Sequence, residues 1–408
     1  MANSRTPKIR FKGFTDDWEQ RKLGEIATEI TRTNKDSNAP VMMITANYGF
    51  IEQSERYAFD NAGDSLKKYI VLQKGEMAYN HGASKLRPYG SCFALTSAEN
   101  ARVPFVYHCF DVGENVPEYV SLELNGKRVE SQLRRIVSSG ARMDGLLNIS
   151  YEEYTQVLLM LPSVPEQEAV SDFIGKIEHL ITLHQRKLEK LQNIKKSCLE
   201  KMFPKNGEVY PEIRFAGFTD AWEQRKLGDF GTTFTGLSGK TKDDFGHGDA
   251  KFVTYMNVFT NPVSDPDKVE AVEIDNNQNC VQYGDVFFTT SSETPEEVGM
   301  SSVWLKQTDN TYLNSFCFGY RPTEIIDPYY MAYMLRSETV RQKVIYLAQG
   351  ISRYNISKNG VMQIEVPVPD LDEQRQVGAL FSKLDNLITL HQRKQFLKLV
   401  KGDIFYGF

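Results

Sequence analysis

The stretch IRFKGFTDDWEQRKLGEI, Ile9 to Ile26, returns as IRFAGFTDAWEQRKLGDF at Ile213 to Phe230, with 14 of 18 positions identical at an offset of 204. Agreement of that kind marks an internal duplication, and a repeat fixes architecture before any single motif does. Downstream, LITLHQRK at Leu180 to Lys187 recurs unchanged at Leu387 to Lys394, offset 207. Each copy follows a Pro-rich segment and a Glu-Gln pair, Glu166-Gln167 and Glu373-Gln374, and the tripeptide NIS at 148–150 and 355–357 keeps the same offset. The period is too long for a solenoid, whose units run about 20–50 residues, so the chain reads as two domains in tandem. Between the shared ends the halves differ: PVMMITANYGFIEQ in the first has no close counterpart to KFVTYMNVFTNPVSD in the second. Similar frames with dissimilar inserts suggest two readers of different targets.

Length and composition agree. At about 150 residues per domain, 408 residues suggest two to three domains. Charge is nearly balanced, 48 Lys+Arg against 53 Asp+Glu, so no strong overall field steers the chain toward polyanions or anionic membranes. Five cysteines at irregular spacing, without a C-x-x-C pair, read as reduced thiols. The N-terminus MANSRTPKIRFKGF lacks the apolar core of a signal peptide, and no stretch approaches the roughly 18–20 apolar residues of a membrane span, so a cytoplasmic protein is expected.

Short β-branched and aromatic runs carry strand signals: YIVLQKGEMAY, GSCFAL and VPFVYHCF in half one, GDVFFTT, SSVWL and SFCFGY in half two. Pro117 to Val137 and the segment from Asp327 each begin with Pro near a first turn and read as helix. From Glu166 to about Phe203, Ile174, Ile177, Ile181, His184, Leu188 and Leu191, then Cys198 and Met202, trace a heptad seam. Such a helix would be about 55 Å long and needs a partner, which Phe381, Leu384 and Ile388 of the second copy supply. The expected fold is α+β: two tandem mixed α/β domains, each followed by a long helix, the helices pairing as an antiparallel coiled coil with pseudo-two-fold symmetry. The boundaries expected are 1–165 and 205–372 for the globular domains, 166–204 for the central helix and 373–408 for the C-terminal helix. After LITLHQRK the second copy departs from the first, and Gly402 breaks its heptad. Two readers held apart by such a spacer could engage two short, non-palindromic sites on one duplex.

These features resemble the specificity subunit of Type I restriction-modification enzymes, over essentially the whole chain. They are the duplicated F-x-G-F-T-D-x-W-E-Q-R-K-L-G block, the P-x-x-x-E-Q segments at Pro162 to Gln167 and Pro369 to Gln374, LITLHQRK twice, and the variable stretches between. The resemblance implies two target recognition domains, each reading one part of a split double-stranded DNA sequence. It implies helices that dock two methyltransferase subunits and, through them, restriction/translocase subunits. S-adenosylmethionine, ATP and Mg would sit on those partners, with no cofactor, no metal and no membrane contact for this chain. The residues agree that the subunit supplies address rather than chemistry. No N-P-P-Y or D-P-P-Y methylase motif occurs, and SGKT at Ser238 to Thr241 lacks the Gly that a P-loop requires, having Phe234 at that position. The acids of PDLDEQR, Pro369 to Arg375, read as charges capping a helix N-terminus.

Candidate DNA contacts come from residue chemistry. TGLSGKTKDD, Thr235 to Asp244, sets Lys240 and Lys242 among turn formers, which suits phosphate contact. Tyr255 and Asn257 alternate along an expected strand, and Asn suits bidentate recognition of adenine, with a strand face packed on the core as the alternative. Arg353, Tyr354 and Arg142 precede the shared NIS, where a helix C-cap is the alternative role. NHGASKLRPYG offers Asn80, His81, Lys85, Arg87 and Tyr89 in a turn-rich loop, for which plain solvation is the alternative. His184 and His391 read as buried polar register markers, Trp18 and Trp222 as core or docking anchors. A net charge of −5 departs from the usual basic footprint of a free-standing DNA binder. The competing class is therefore a repeat-built coiled-coil scaffold whose globular units bind proteins or glycans.

Overall fold

The structure, a computed structural model, describes residues 7, 9–34, 38–56, 63–137, 146–205 and 207–395. The chain divides into two compact units, one built on Met1–Leu183 and the other on His184–Lys394.

The strand-forming runs assemble the same sheet in each unit. In the first, Thr28–Glu29, His108–Asp111, Met77–Asn80 and Ser91–Ala94 lie side by side in that order, all antiparallel. In the second the order is Gly231–Thr235, Cys317–Pro322, Val286–Thr289 and Ser301–Val303, again antiparallel. The inserts are thus less dissimilar than their sequences suggest, because a sheet needs apolar, β-branched or aromatic side chains rather than particular ones. The additions differ. The first unit gains the hairpin Met42–Thr45/Gly49–Glu52 and the pair Ile70–Gln73/Asn100–Val103. The second gains a three-stranded sheet of Val269–Val272, Phe245–Val253 and Thr311–Leu313.

Three local expectations are corrected. Pro117 to Val137 is two helices, Pro117–Leu124 and Lys127–Ile136: the Asn125 side-chain amide donates to the Cys92 carbonyl, and Gly126 is extended. The segment from Asp327 likewise breaks into Pro328–Met334 and Glu338–Tyr346, with Ser337 extended between them. TYMNVF is not a strand; Tyr255–Thr260 is a helix, because the Thr254 hydroxyl caps the Asn257 N–H at 3.3 Å.

Two long helices close the frames, Val164–Lys201 and Leu371–Gln395. The first serves both units in turn. Val170 and Ile174 are buried in the first unit's core with Trp18 and Tyr119, while Leu188 and Leu191 share the second unit's core with Phe381, Leu384 and Ile388. Ile177 and Ile181, between them, are half-buried. In the second unit the two helices run in opposite senses: His184 meets His391, Lys195 reaches Asp385 at 2.5 Å, and Phe203 stacks on Phe381 at 5.9 Å. Each of the buried Leu, Ile and Phe side chains in that contact stabilises it by about 1.5–3 kcal/mol. Among the described residues no helix is long and apolar enough to cross a membrane.

Candidate nucleic-acid interface

The duplicated motifs form one latch in each unit, tying the repeated N-terminal block to the start of the long helix. Arg10 forks onto Glu166 through Nε and Nη2, both at 2.7 Å, and its Nη2 also donates to the Asp16 carbonyl at 2.6 Å. Arg214 does the same to Glu373, at 2.8 Å twice, and to the Asp220 carbonyl at 2.7 Å. Glu166 and Glu373 are 1% and 0% exposed, so the bidentate pairing satisfies a carboxylate that burial alone would penalise. The carboxylate in turn holds each guanidinium above its ordinary range. Glu373 is therefore the buried member of an ion pair rather than a capping charge; the cap is Asp370, whose carboxylate accepts the Glu373 N–H at 2.9 Å.

The neighbouring Gln completes the latch. Gln167 donates to the Pro162 carbonyl and accepts from the Val116 N–H, immediately before helix Pro117–Leu124. Gln374 donates to Pro369 and accepts from Asp327 N–H, immediately before helix Pro328–Met334. The EQRK segments pair with the strands that lead into the long helices, Glu19–Lys22 with Leu158–Leu161 and Glu223–Lys226 with Glu365–Val368. Trp18 and Trp222 are buried core residues, and Trp222 Nε1 donates to Glu373 at 2.9 Å.

On this frame the sequence candidates take different places. In the first unit Asn80 to Gly90 joins two sheet strands. Gly90 closes the turn at φ +82°, where a Cβ would come within 2.7 Å of the Asn80 carbonyl. Asn80 donates to the Ile44 carbonyl at 3.0 Å and accepts from Gly82, and buried His81 sets Nδ1 2.9 Å from the Leu147 carbonyl. Both hold the loop rather than project from it. Arg87 is half-buried and donates to the Asn125 carbonyl at 2.6 Å; Tyr89 is half-buried and its carbonyl accepts from Tyr79; Lys85 is exposed. Tyr48, 81% exposed, stands at the tip of the hairpin that Asn80 ties down. Arg142 lies outside the described residues.

In the second unit Lys240 is committed to Asp275 at 3.0 Å, and that ammonium, with backbone and Gln278 donors, pulls Asp275 down to about 2. Lys242 is exposed at the start of the turn Lys242–Asp244. Asn257, 1% exposed, donates to the Asp265 and Lys268 carbonyls and accepts from Asp265 N–H, so its amide closes a loop and has no adenine edge to offer. Tyr255, Arg353 and Tyr354 do come together. Tyr255 donates to the Ser291 carbonyl at 2.9 Å, and Ser291–Ser292 pairs with Tyr354–Asn355. Burial pushes the Tyr255 hydroxyl up, and the nearby Arg353 charge acts in the opposite sense. Met256 and Phe316, each 58% exposed, flank the same place; Phe316 accepts through its carbonyl from Thr290. Neither was singled out in the sequence, because an exposed apolar side chain looks like a core one until burial is known. The surface is cationic, aromatic and apolar at once, which suits contact with base edges and phosphates.

Residues 219–398 match the family described as Type I restriction modification DNA specificity domain. The chain is similar to the Type I restriction enzyme MjaVIII specificity subunit of Methanocaldococcus jannaschii, 22% identical over 64% of this chain and 62% of that one. It is also similar to the same organism's putative Type I restriction enzyme MjaX specificity subunit, 21% identical over 95% of this chain and 91% of that one. Among solved structures, the Type-I restriction-modification system S subunit from M. genitalium shares the fold with a TM-score of 0.56 at 11% identity, covering 98% and 97% of the two chains. The chain spans just under two thirds of the MjaVIII subunit and nine tenths of the MjaX subunit. The class these features define is a DNA specificity domain on a duplicated frame. By these matches the chain is similar to specificity subunits of Type I restriction-modification systems, with the family match itself covering residues 219–398.

Proposed function

We propose that this chain reads a split, non-palindromic DNA sequence, one part through each of two target recognition domains (residues 1–165 and 205–372), and that it does no chemistry itself. The observation that carries the reading is the duplication in three dimensions. The same Arg–Glu latch and the same four-stranded sheet occur twice, yet the exposed side chains set on them differ, Tyr48 and Lys85 in one unit, Met256, Phe316 and Arg353 in the other. One scaffold with two surfaces is what two half-sites of different sequence require.

The helices are the spacer, an antiparallel coiled coil with a pseudo-two-fold axis. The contact His184 Nδ1 to His391 Nδ1 at 3.0 Å supports this, because the two residues are equivalent in the repeat, and equivalent residues meet each other at a dyad. Leu180, Leu183, Leu387 and Leu390, also equivalent in pairs, are 41–54% exposed and suit docking of two copies of one methyltransferase partner, which in turn would bring restriction subunits. S-adenosylmethionine, ATP and Mg belong to those partners, and the assembly is cytoplasmic. The test is an exchange of residues 205–372 for the corresponding segment of another specificity subunit: one half of the methylated sequence should change and the other stay. A change in both halves, or in neither, contradicts independent readers.

A further inference from the structure

Helix Lys127–Ile136 of the first unit carries a feature that the target-reading surfaces above do not use. Val129 and Leu133 are buried, and Gln132 exchanges two hydrogen bonds with the backbone of Leu158 at 2.9 and 2.8 Å, which fixes the rotation of the helix. At 100° per residue the opposite face then presents Lys127, Arg128, Ser131, Arg134 and Arg135, all exposed. Arg134 and Arg135 take part in no ion pair among the described residues, and Arg128 is only 3.6 Å from Glu123. The helix follows Asn125, whose carbonyl holds Arg87, so the candidate loop with exposed Lys85 adjoins its start.

The fold does not demand this charge. Val340 and Val344 occupy the equivalent buried positions of helix Glu338–Tyr346 in the second unit. In that register Glu338, Thr339, Ile345 and Tyr346 stand where Lys127, Arg128, Arg134 and Arg135 stand in the first. From Lys127 to Arg135 the stripe is about 12 Å long, the length over which a duplex advances three to four base pairs at about 3.4 Å of helix axis each.

We infer that this stripe is a phosphate-backbone contact of the first unit, giving sequence-independent affinity that the second unit lacks. The inference rests on the DNA-reading function proposed above. It is tested with the full chain bound to its methyltransferase partner, on a labelled duplex of arbitrary sequence, titrated between about 50 and 200 mM KCl. For Arg134→Ala/Arg135→Ala the slope of log affinity against log salt should fall by about 0.9 per contact. Wild-type affinity would then drop about 12-fold more than the variant's across that range. Arg134→Lys/Arg135→Lys should restore the slope, and the methylated sequence should not change in either variant. The positions are exposed, so unchanged thermal unfolding is expected alongside. Where the wild type binds duplex, an Arg134→Ala/Arg135→Ala slope equal to the wild type's would overturn the inference alone, as would loss of methyltransferase assembly in that variant with the slope intact. A wild type that binds no duplex would overturn the DNA reading and this inference with it.

Discussion

Replacing Glu373 with Ala would take the carboxylate from the Arg214 guanidinium, whose side chain is 14% exposed and which would keep the Asp220 carbonyl, and would leave the buried indole N–H of Trp222 without its acceptor. Removing one partner of a buried pair costs about 3–5 kcal/mol, because the remaining charge keeps its desolvation penalty. Arg214 lies near the rim and water can partly reach it, so the lower end, about 3 kcal/mol, is the expected loss. The double variant Arg214→Met/Glu373→Leu should recover most of it, since apolar side chains of similar volume leave nothing unpaired. Denaturant unfolding followed by tryptophan fluorescence would measure both, with Trp222 reporting directly on the second unit. The Glu166→Ala variant should lose less, because Trp18 Nε1 makes no hydrogen bond to Glu166. Equal stability of wild type and Glu373→Ala would refute the latch as the element that holds strand, helix and domain together. A double variant as unstable as the single would show that the ion pair contributes beyond satisfying its own charges.

Burial holds His108 below its ordinary value of 6.5, against a hydrogen bond to the Ile149 carbonyl at 3.1 Å. With the folded value depressed, the unfolded chain takes up the proton first, so stability present above about 6.5 is lost as pH falls through the folded value. Thermal unfolding between pH 8 and pH 5 should show that fall, and His108→Gln should flatten it. Asn257→Ala should destabilise the second unit by about 1–3 kcal/mol, from buried carbonyls left unpaired, while leaving the methylated sequence unchanged. Arg353→Ala should do the reverse: near-native unfolding with weakened modification of one half-site. Leu188→Ala, in the core shared by the two long helices, should cost about 2–5 kcal/mol by unfolding midpoint.

The frame was largely legible in the sequence because duplication exposes it: the Glu-Gln pairs and the E-Q-R-K strands hold the fold in both copies, and the two histidines of LITLHQRK meet. What the repeat could not show is who pairs with whom. Arg10 and Glu166 are 156 residues apart, and only the fold reveals that two recurring motifs are halves of one latch. The heptad seam was legible as a pattern, yet Ile174 belongs to a globular core, since the same apolar periodicity serves helix–helix and helix–sheet packing. The candidate site was legible only in part. Asn257 and His81 have the right chemistry for a base edge, but burial assigns their polar atoms to backbone, and Lys240 meets an Asp275 that is distant in sequence. Lys127 to Arg135 was legible as well, since cations at helical spacing opposite Val129 and Leu133 form a stripe.

The most direct test of the central claim is to co-express the chain with a matching methyltransferase subunit in a methylation-free host and map N6-methyladenine across the genome. Two short, different half-sites separated by a fixed gap are the predicted result. A complex that assembles without depositing sequence-specific methylation would contradict the account and leave a helical scaffold whose globular units bind something other than DNA.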